Sequence, residues 1–189
     1  MLVTTMIFLI AILVPRPVVF SSGLYGTIPK FAYNNFFQSI DNVSIVHPQP
    51  LLNKRKFEML CDQYERDKMP LIAHSSIDAD ILCSHRLEKA LLLDPAILPF
   101  LGASGFVPAT VHPRAPVNII LSRFYSSFVK TAFQPTVEDA NLIQLTYGGH
   151  SDILDGMWPA IAENLGIQSD TEHIQEYKAF LKLYIQEWL

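Results

Sequence analysis

The chain has little of several things, and each shortage excludes a class. Its 189 residues hold only two cysteines, Cys61 and Cys83. Two are too few for a disulfide framework, and neither has a partner at metal-ligand spacing. Charged residues make up only 17%, and Lys plus Arg (14) is fewer than Asp plus Glu (18), for a net charge of -4. With no basic surplus, a nucleic-acid backbone finds no electrostatic partner here. Mean hydropathy is high at +0.23, yet no apolar run reaches the ~18 residues of a membrane-spanning helix. Internal repeats and low-complexity segments are missing as well. What is present is apolar: half the residues are hydrophobic, which excludes a wholly disordered chain and gives enough material for the core of one domain.

The first apolar stretch, Leu2 to Val14, has Thr4 and Thr5 as its only polar residues. Its length fits an extra buried strand or the core of a signal peptide better than a full membrane span. No basic residues precede it, and Pro15-Arg16-Pro17 follows where a small-residue cleavage site would stand. An intact strand is the favoured reading, with a signal or membrane anchor as the alternatives. Location accordingly stays open, with cytoplasmic favoured over membrane-associated or secreted. Asn42-Val43-Ser44 is a glycosylation sequon that matters only in a secreted chain. Oligomeric state is left open.

From residue 15 onward, short apolar runs alternate with helix-like stretches. The runs are Pro17 to Ser21, Asn42 to His47, Met69 to His74, Lys89 to Asp94, Val117 to Ser122 and Asn141 to Thr146. Most are continuously apolar, as strands buried on both faces are. Lys54 to Lys68 places Phe57, Leu60, Cys61 and Tyr64 on one helical face behind an Asn53 cap. Weaker helical patterns cover Ile28 to Ile40 and Ile77 to Leu87. Asp152 to Leu165 has helical spacing that Pro159 must kink or interrupt. Ser169-Asp170-Thr171-Glu172 reads as a capping box opening a last helix with Ile174, Tyr177, Leu181, Tyr184 and Trp188 on one face. The alternation predicts an α/β domain over residues 15–189, with a mostly parallel sheet of about six strands. In such a sheet, functional groups gather at the carboxyl ends of the strands.

Three of those ends carry chemistry. One reads Ala73-His74-Ser75-Ser76-Ile77. A serine between a buried strand and a helix suits a strained elbow that lifts its hydroxyl above the sheet, although a helix N-cap is the plainer role. A second reads Leu93-Asp94-Pro95-Ala96, where Asp-Pro also suits a simple turn. The third reads Gly148-Gly149-His150-Ser151-Asp152. Its histidine is the side chain best suited to exchange protons near neutral pH, and a structural role is the plainer one. The chain order Ser75, Asp94, His150 is nucleophile, acid, base.

With these residues in view, the chain resembles the α/β-hydrolase superfamily over roughly Pro17 to Leu165. Ala73-His74-Ser75 is similar to the Gly-His-Ser start of the elbow. Gly149-His150-Ser151-Asp152-Ile153-Leu154-Asp155 is similar to the segment around the catalytic histidine of chlorophyllase-like and dienelactone-hydrolase-like members. Asp94 matches the Leu-Asp-Pro-Ala setting from which some lipases of the family draw their acid. Ser22-Gly23 stands where the family has His-Gly. The resemblance implies a three-layer sandwich without a large lid and a Ser75-Asp94-His150 triad. It also implies an oxyanion hole from the backbone N–H groups of Leu24 and Ser76. The implied activity is hydrolysis of a carboxylic ester or lipid, with no metal or organic cofactor. Three departures stand against it: Ile77 in place of a small residue, Ser22 in place of histidine, and no carboxylate in Ser122 to Ser127 where most members keep the acid. Glu138 and Asp139 are fallback acids. Pro99 to Pro116, with Phe100, Leu101, Phe106 and Val107, is a candidate wall for an acyl pocket or ordinary packing. The alternative is an inactive member of the fold with a binding or scaffold role.

Overall fold

A computed structural model describes residues 15–48, 52–98, 110–125 and 136–189. The expected strand in Leu2 to Val14 and the candidate wall residues Phe100, Leu101, Phe106 and Val107 lie outside this range. The strands are β1 (Arg16–Ser21), β2 (Val43–Val46), β3 (Met69–Asp78), β4 (Leu87–Leu98), β5 (Thr110–Val111), β6 (Val117–Leu121), β7 (Thr136–Val137) and β8 (Asn141–Gln144). The helices are α1 (Gly23–Gly26), α2 (Asn34–Gln38), α3 (Lys54–Gln63), α4 (Ala79–Leu82), α5 (Trp158–Asn164) and α6 (Ile174–Trp188), and a 3-10 turn covers Lys30–Tyr33. Six strands form one sheet in the order β2-β1-β3-β4-β6-β8. Every neighbouring pair in it is parallel. β5 and β7 pair separately as a two-residue ladder.

The continuous apolar runs follow from two cores, one on each face of this sheet. Strand side chains alternate between faces. Val19, Leu71, Ala73, Ala90 and Leu92 therefore join Phe57 and Cys61 of α3 on one side. Val18, Phe20, Ile72, Leu91 and Leu93 join Phe36 and Phe37 of α2 and Tyr177, Leu181 and Ile185 of α6 on the other. Each fully buried Leu, Ile or Phe stabilises the fold by about 1.5–3 kcal/mol, and a strand with no solvent face has no reason to carry polar residues. The helix cap is as expected: Asn53 Oδ1 accepts from the Lys56 N–H at 2.8 Å.

Several helix boundaries differ from the sequence pattern. α3 stops at Gln63, short of Lys68, and Glu65 is left-handed with φ 52°. The helix expected over Ile77 to Leu87 is a single turn, α4, because β3 continues through Ile77 and Asp78 and Ile77 enters the core. Asp152 to Leu165 does not form one kinked helix. Its first part is turns, and Pro159 sits in the first turn of α5, where a proline costs no hydrogen bond. The capping box over Ser169 to Glu172 does not form. α6 starts at Ile174 with no side-chain cap, while the side chains of Ser169 and Asp170 bond inward. Cys83 falls at the C-cap of α4 rather than within a helix. No described helix is long and apolar enough to cross a membrane.

The sheet has one interruption that matters. Along β3 and β4, His74 pairs with Leu93 and Ser76 with Ala96. Ser75 alone therefore faces two residues, Asp94 and Pro95. Both Ser75 (φ 62°) and Asp94 (φ 44°) are left-handed, a conformation that costs a non-glycine residue on the order of 1 kcal/mol or more. The ladder then resumes from Ser76 to Asp78. It is a bulge in a parallel pair, and it turns both residues out of the strand pattern at one level.

Candidate active site

Ser75, Asp94 and His150 are all buried. Asp94 is completely so, and two donors from the end of β6 hold it: the Ser122 N–H on Oδ1 and the Ser122 hydroxyl on Oδ2, each at 2.7 Å. Nδ1 of His150 lies 3.5 Å from the same Oδ2, without the alignment of a hydrogen bond. Asp94 is thus the carboxylate that the fold brings beside the imidazole. The fallback acids are engaged elsewhere or out in solvent: Glu138 pairs with His112, and Asp139 is an exposed turn residue with φ 54°.

His150 stands on a loop whose shape is fixed by a second buried carboxylate. Asp152 accepts from the Gly149 N–H (2.6 Å), the Asp170 N–H (2.9 Å) and the Ser169 hydroxyl (2.5 Å). Asp170 accepts in turn from the Gly148 N–H at 3.0 Å. A hydrogen bond from His173 holds the Asp170 carboxyl below its usual range. Gly149 packs so tightly that a Cβ there would sit 2.5 Å from the Gln168 carbonyl oxygen, which explains why this loop is glycine. The loop also meets the end of β6: the Arg123 and Phe124 N–H groups donate to the Tyr147 and Gly148 carbonyls.

Ser75 carries no hydrogen bond to His150. It does lie against the loop after β1: a Cβ built on Gly23 would be 3.4 Å from the Ser75 Cβ and 3.6 Å from His74 Nδ1. The Gly23 N–H is already used, donating to the Tyr33 hydroxyl at 3.2 Å. Leu24 follows within the single turn of α1, where the first N–H groups of a helix have no intrahelical acceptor. Ser76 sits on β3 just past the bulge, and its carbonyl accepts from the Ser21 hydroxyl at 3.3 Å.

The Ile77 departure has a physical reason. The expected elbow between strand and helix does not form, nor does Ser75 cap a helix: β3 continues to Asp78, which caps α4, and Ile77 fills core space. At Ser122 the chain has no carboxylate of its own, but its hydroxyl and N–H grip the carboxylate that β4 supplies. Sequence reasoning missed Tyr33, His74, Ser122 and Asp170 as parts of this site. Only the position of Ser122 after a buried strand could have signalled it. Among the described residues, no three His, Cys, Asp or Glu side chains gather as a metal site requires. The chain matches no protein-family model and no curated protein.

Proposed function

We propose that this chain is a compact α/β-hydrolase-fold serine hydrolase acting on carboxylic esters. The observation that carries the reading is the buried Asp94 carboxylate 3.5 Å from the His150 ring, at the strand level where the left-handed Ser75 interrupts β3. Support also comes from the parallel order β2-β1-β3-β4-β6-β8, which brings the ends of β3, β4 and β8 to one edge. In the proposed reaction the Ser75 hydroxyl attacks the ester carbonyl, and His150 takes its proton. His150 then returns that proton to the leaving alkoxide. Asp94 accepts from Nδ1–H, fixes the tautomer and stabilises the imidazolium. A small rotation of the His150 ring would align that hydrogen bond. The Leu24 and Ser76 N–H groups would hold the oxyanion, each contributing about 3 kcal/mol. Water, activated by the same imidazole, then releases the acid from Ser75.

The test is labelling by a fluorophosphonate probe together with hydrolysis of p-nitrophenyl esters of increasing chain length. Adduct formation at Ser75 and its loss in Ser75→Ala are expected. Undiminished esterase activity in Ser75→Ala would reject the assignment. A second reading, a catalytically inactive fold used for binding, is favoured by one observation: His150 Nδ1 is buried without a hydrogen bond, and Ser75 has none to His150. A well-folded protein that takes no probe would support it.

A further inference from the structure

The residue before the candidate nucleophile is itself buried and bonded at both ring nitrogens. His74 Nε2 lies 2.8 Å from the His150 carbonyl oxygen, and Nδ1 lies 2.9 Å from the Tyr33 hydroxyl. A carbonyl can only accept, so Nε2 must carry the proton. In the neutral ring Nδ1 is then the acceptor, and the Tyr33 hydroxyl must donate to it. That leaves the Tyr33 oxygen to accept the Gly23 N–H. Every proton in the series is thereby assigned: Gly23 N–H to Tyr33, Tyr33 O–H to His74, His74 Nε2–H to the His150 carbonyl. The His74 ring also stacks on the His150 ring, with centroids 4.7 Å apart and planes 30° apart.

Burial, and then the nearby His150, push the His74 imidazole down to about 3. Burial also raises the Tyr33 phenol well above its usual range. Both groups stay uncharged, as the assigned direction requires. Charging either would break the central Tyr33–His74 bond, because a protonated ring cannot accept the phenol proton and a phenolate has none to give.

We propose that His74 is a positioning residue, one that locks the loop after β1 and the loop bearing His150 into a single register around Ser75. It forms no hydrogen bond to Ser75 or to the His150 ring, on which it only stacks. It acts by holding the main chain of His150 and, through Tyr33, that of Gly23 beside the candidate oxyanion donor Leu24. The kinetic part of the proposal rests on the hydrolase reading; the structural part does not.

The experiment uses the full chain. In protein labelled with 15N at histidine, long-range proton–nitrogen correlation near neutral pH is expected to show one ring protonated on Nε2 and bare on Nδ1, assigned to His74 by its loss in His74→Gln. In Tyr33→Phe the Gly23 amide is expected to exchange with solvent at least tenfold faster, and the His150 amide resonance to shift. For hydrolysis of a p-nitrophenyl ester, Tyr33→Phe and His74→Asn are expected to lower kcat per fluorophosphonate-titrated site by about 10- to 100-fold, the cost of displacing reacting groups by an ångström or less. KM is expected to change less than about twofold. His74→Gln can place an amide N–H near the Nε2 position and is expected to recover part of the loss. Its combination with Tyr33→Phe should be less than additive.

An Nδ1–H tautomer at His74 would overturn the proposal. So would variants that melt at lower temperature but keep full kcat per titrated site in the cold. If the wild-type protein neither hydrolyses esters nor takes the probe, the hydrolase reading falls. The tautomer and the Gly23 exchange rate then still decide whether His74 couples the two loops.

Discussion

Asp94 and Asp152 are both fully buried carboxylates, and they are held in different ways. Asp152 accepts three hydrogen bonds, from two main-chain N–H groups and a serine hydroxyl. Asp94 accepts two, both from Ser122, and has an imidazole 3.5 Å from one oxygen. A buried carboxylate with all its needs met by fixed donors shapes a loop. One with an oxygen still turned toward a histidine can answer a change in that ring's charge. A third, Asp78, has less than either: Oδ1 accepts from the Asp80 N–H, and beyond that the carboxyl has only the Lys54 N–H and ammonium nearby. Burial pushes its carboxyl up from 3.8 to about 6.

Four substitutions break or sharpen this contrast. The largest effect is expected from Asp94→Asn, which keeps the packing but presents His150 with an amide. Ester hydrolysis should fall by about 10⁴-fold, with a thermal midpoint within a few degrees of wild type. Equal loss of activity and folding would make Asp94 structural. Asp152→Ala should do the reverse. It strands three donors and should destabilise the fold by about 3–5 kcal/mol in urea titration, while activity per folded molecule in the cold falls only modestly.

Asp78→Asn probes the least satisfied of the three. The unfolded chain releases this proton near 3.8 and the native chain near 6, so between these values the native state holds more protons. Raising the pH through that window therefore costs stability, and the cost is complete above about 6. The amide should remove that slope and raise stability at pH 7 by about 2 kcal/mol, measured by melts from pH 4 to 7. The smallest effect is expected from Ser122→Ala. It removes one of two donors to Asp94 and should lower kcat about tenfold at roughly 1 kcal/mol of stability. Should Ser122→Ala match Asp94→Asn in severity, the hydroxyl has a larger part than holding the acid.

The central strands of the main sheet were legible because burial on both faces leaves no choice of residue: Val18, Val19 and Phe20, or Leu91, Leu92 and Leu93, read as strand from composition alone. The meeting of Asp94 with His150 was legible from the shared direction of parallel strands, although β3 and β4 run on past Ser75 and Asp94 to Asp78 and Leu98 instead of ending there. The bulge was not. Ile77 marks a mismatch in the sequence, and only tertiary pairing shows that the mismatch is resolved by extending β3. The capping box at Ser169 failed for a related reason. Its side chains find partners in the His150 loop, Ser169 donating to Asp152 and Asp170 accepting from the Gly148 N–H, and tertiary contacts outweigh a local cap. Tyr33 and His74 are 41 positions apart, and no periodicity links two residues joined only through a loop.

The strand order also places the three residues at different depths in the sheet. Ser75 and Asp94 come from strands at the centre of the sheet, whereas His150 arrives on the loop after its outermost strand. That loop is held in shape by Ser169 and Asp170, from the segment between α5 and α6. Non-local pairings of this kind form late and slowly. Until that loop docks, Ser75 and Asp94 stand without His150, and the three residues meet only once the segment from β8 to Asp170 has closed on the sheet.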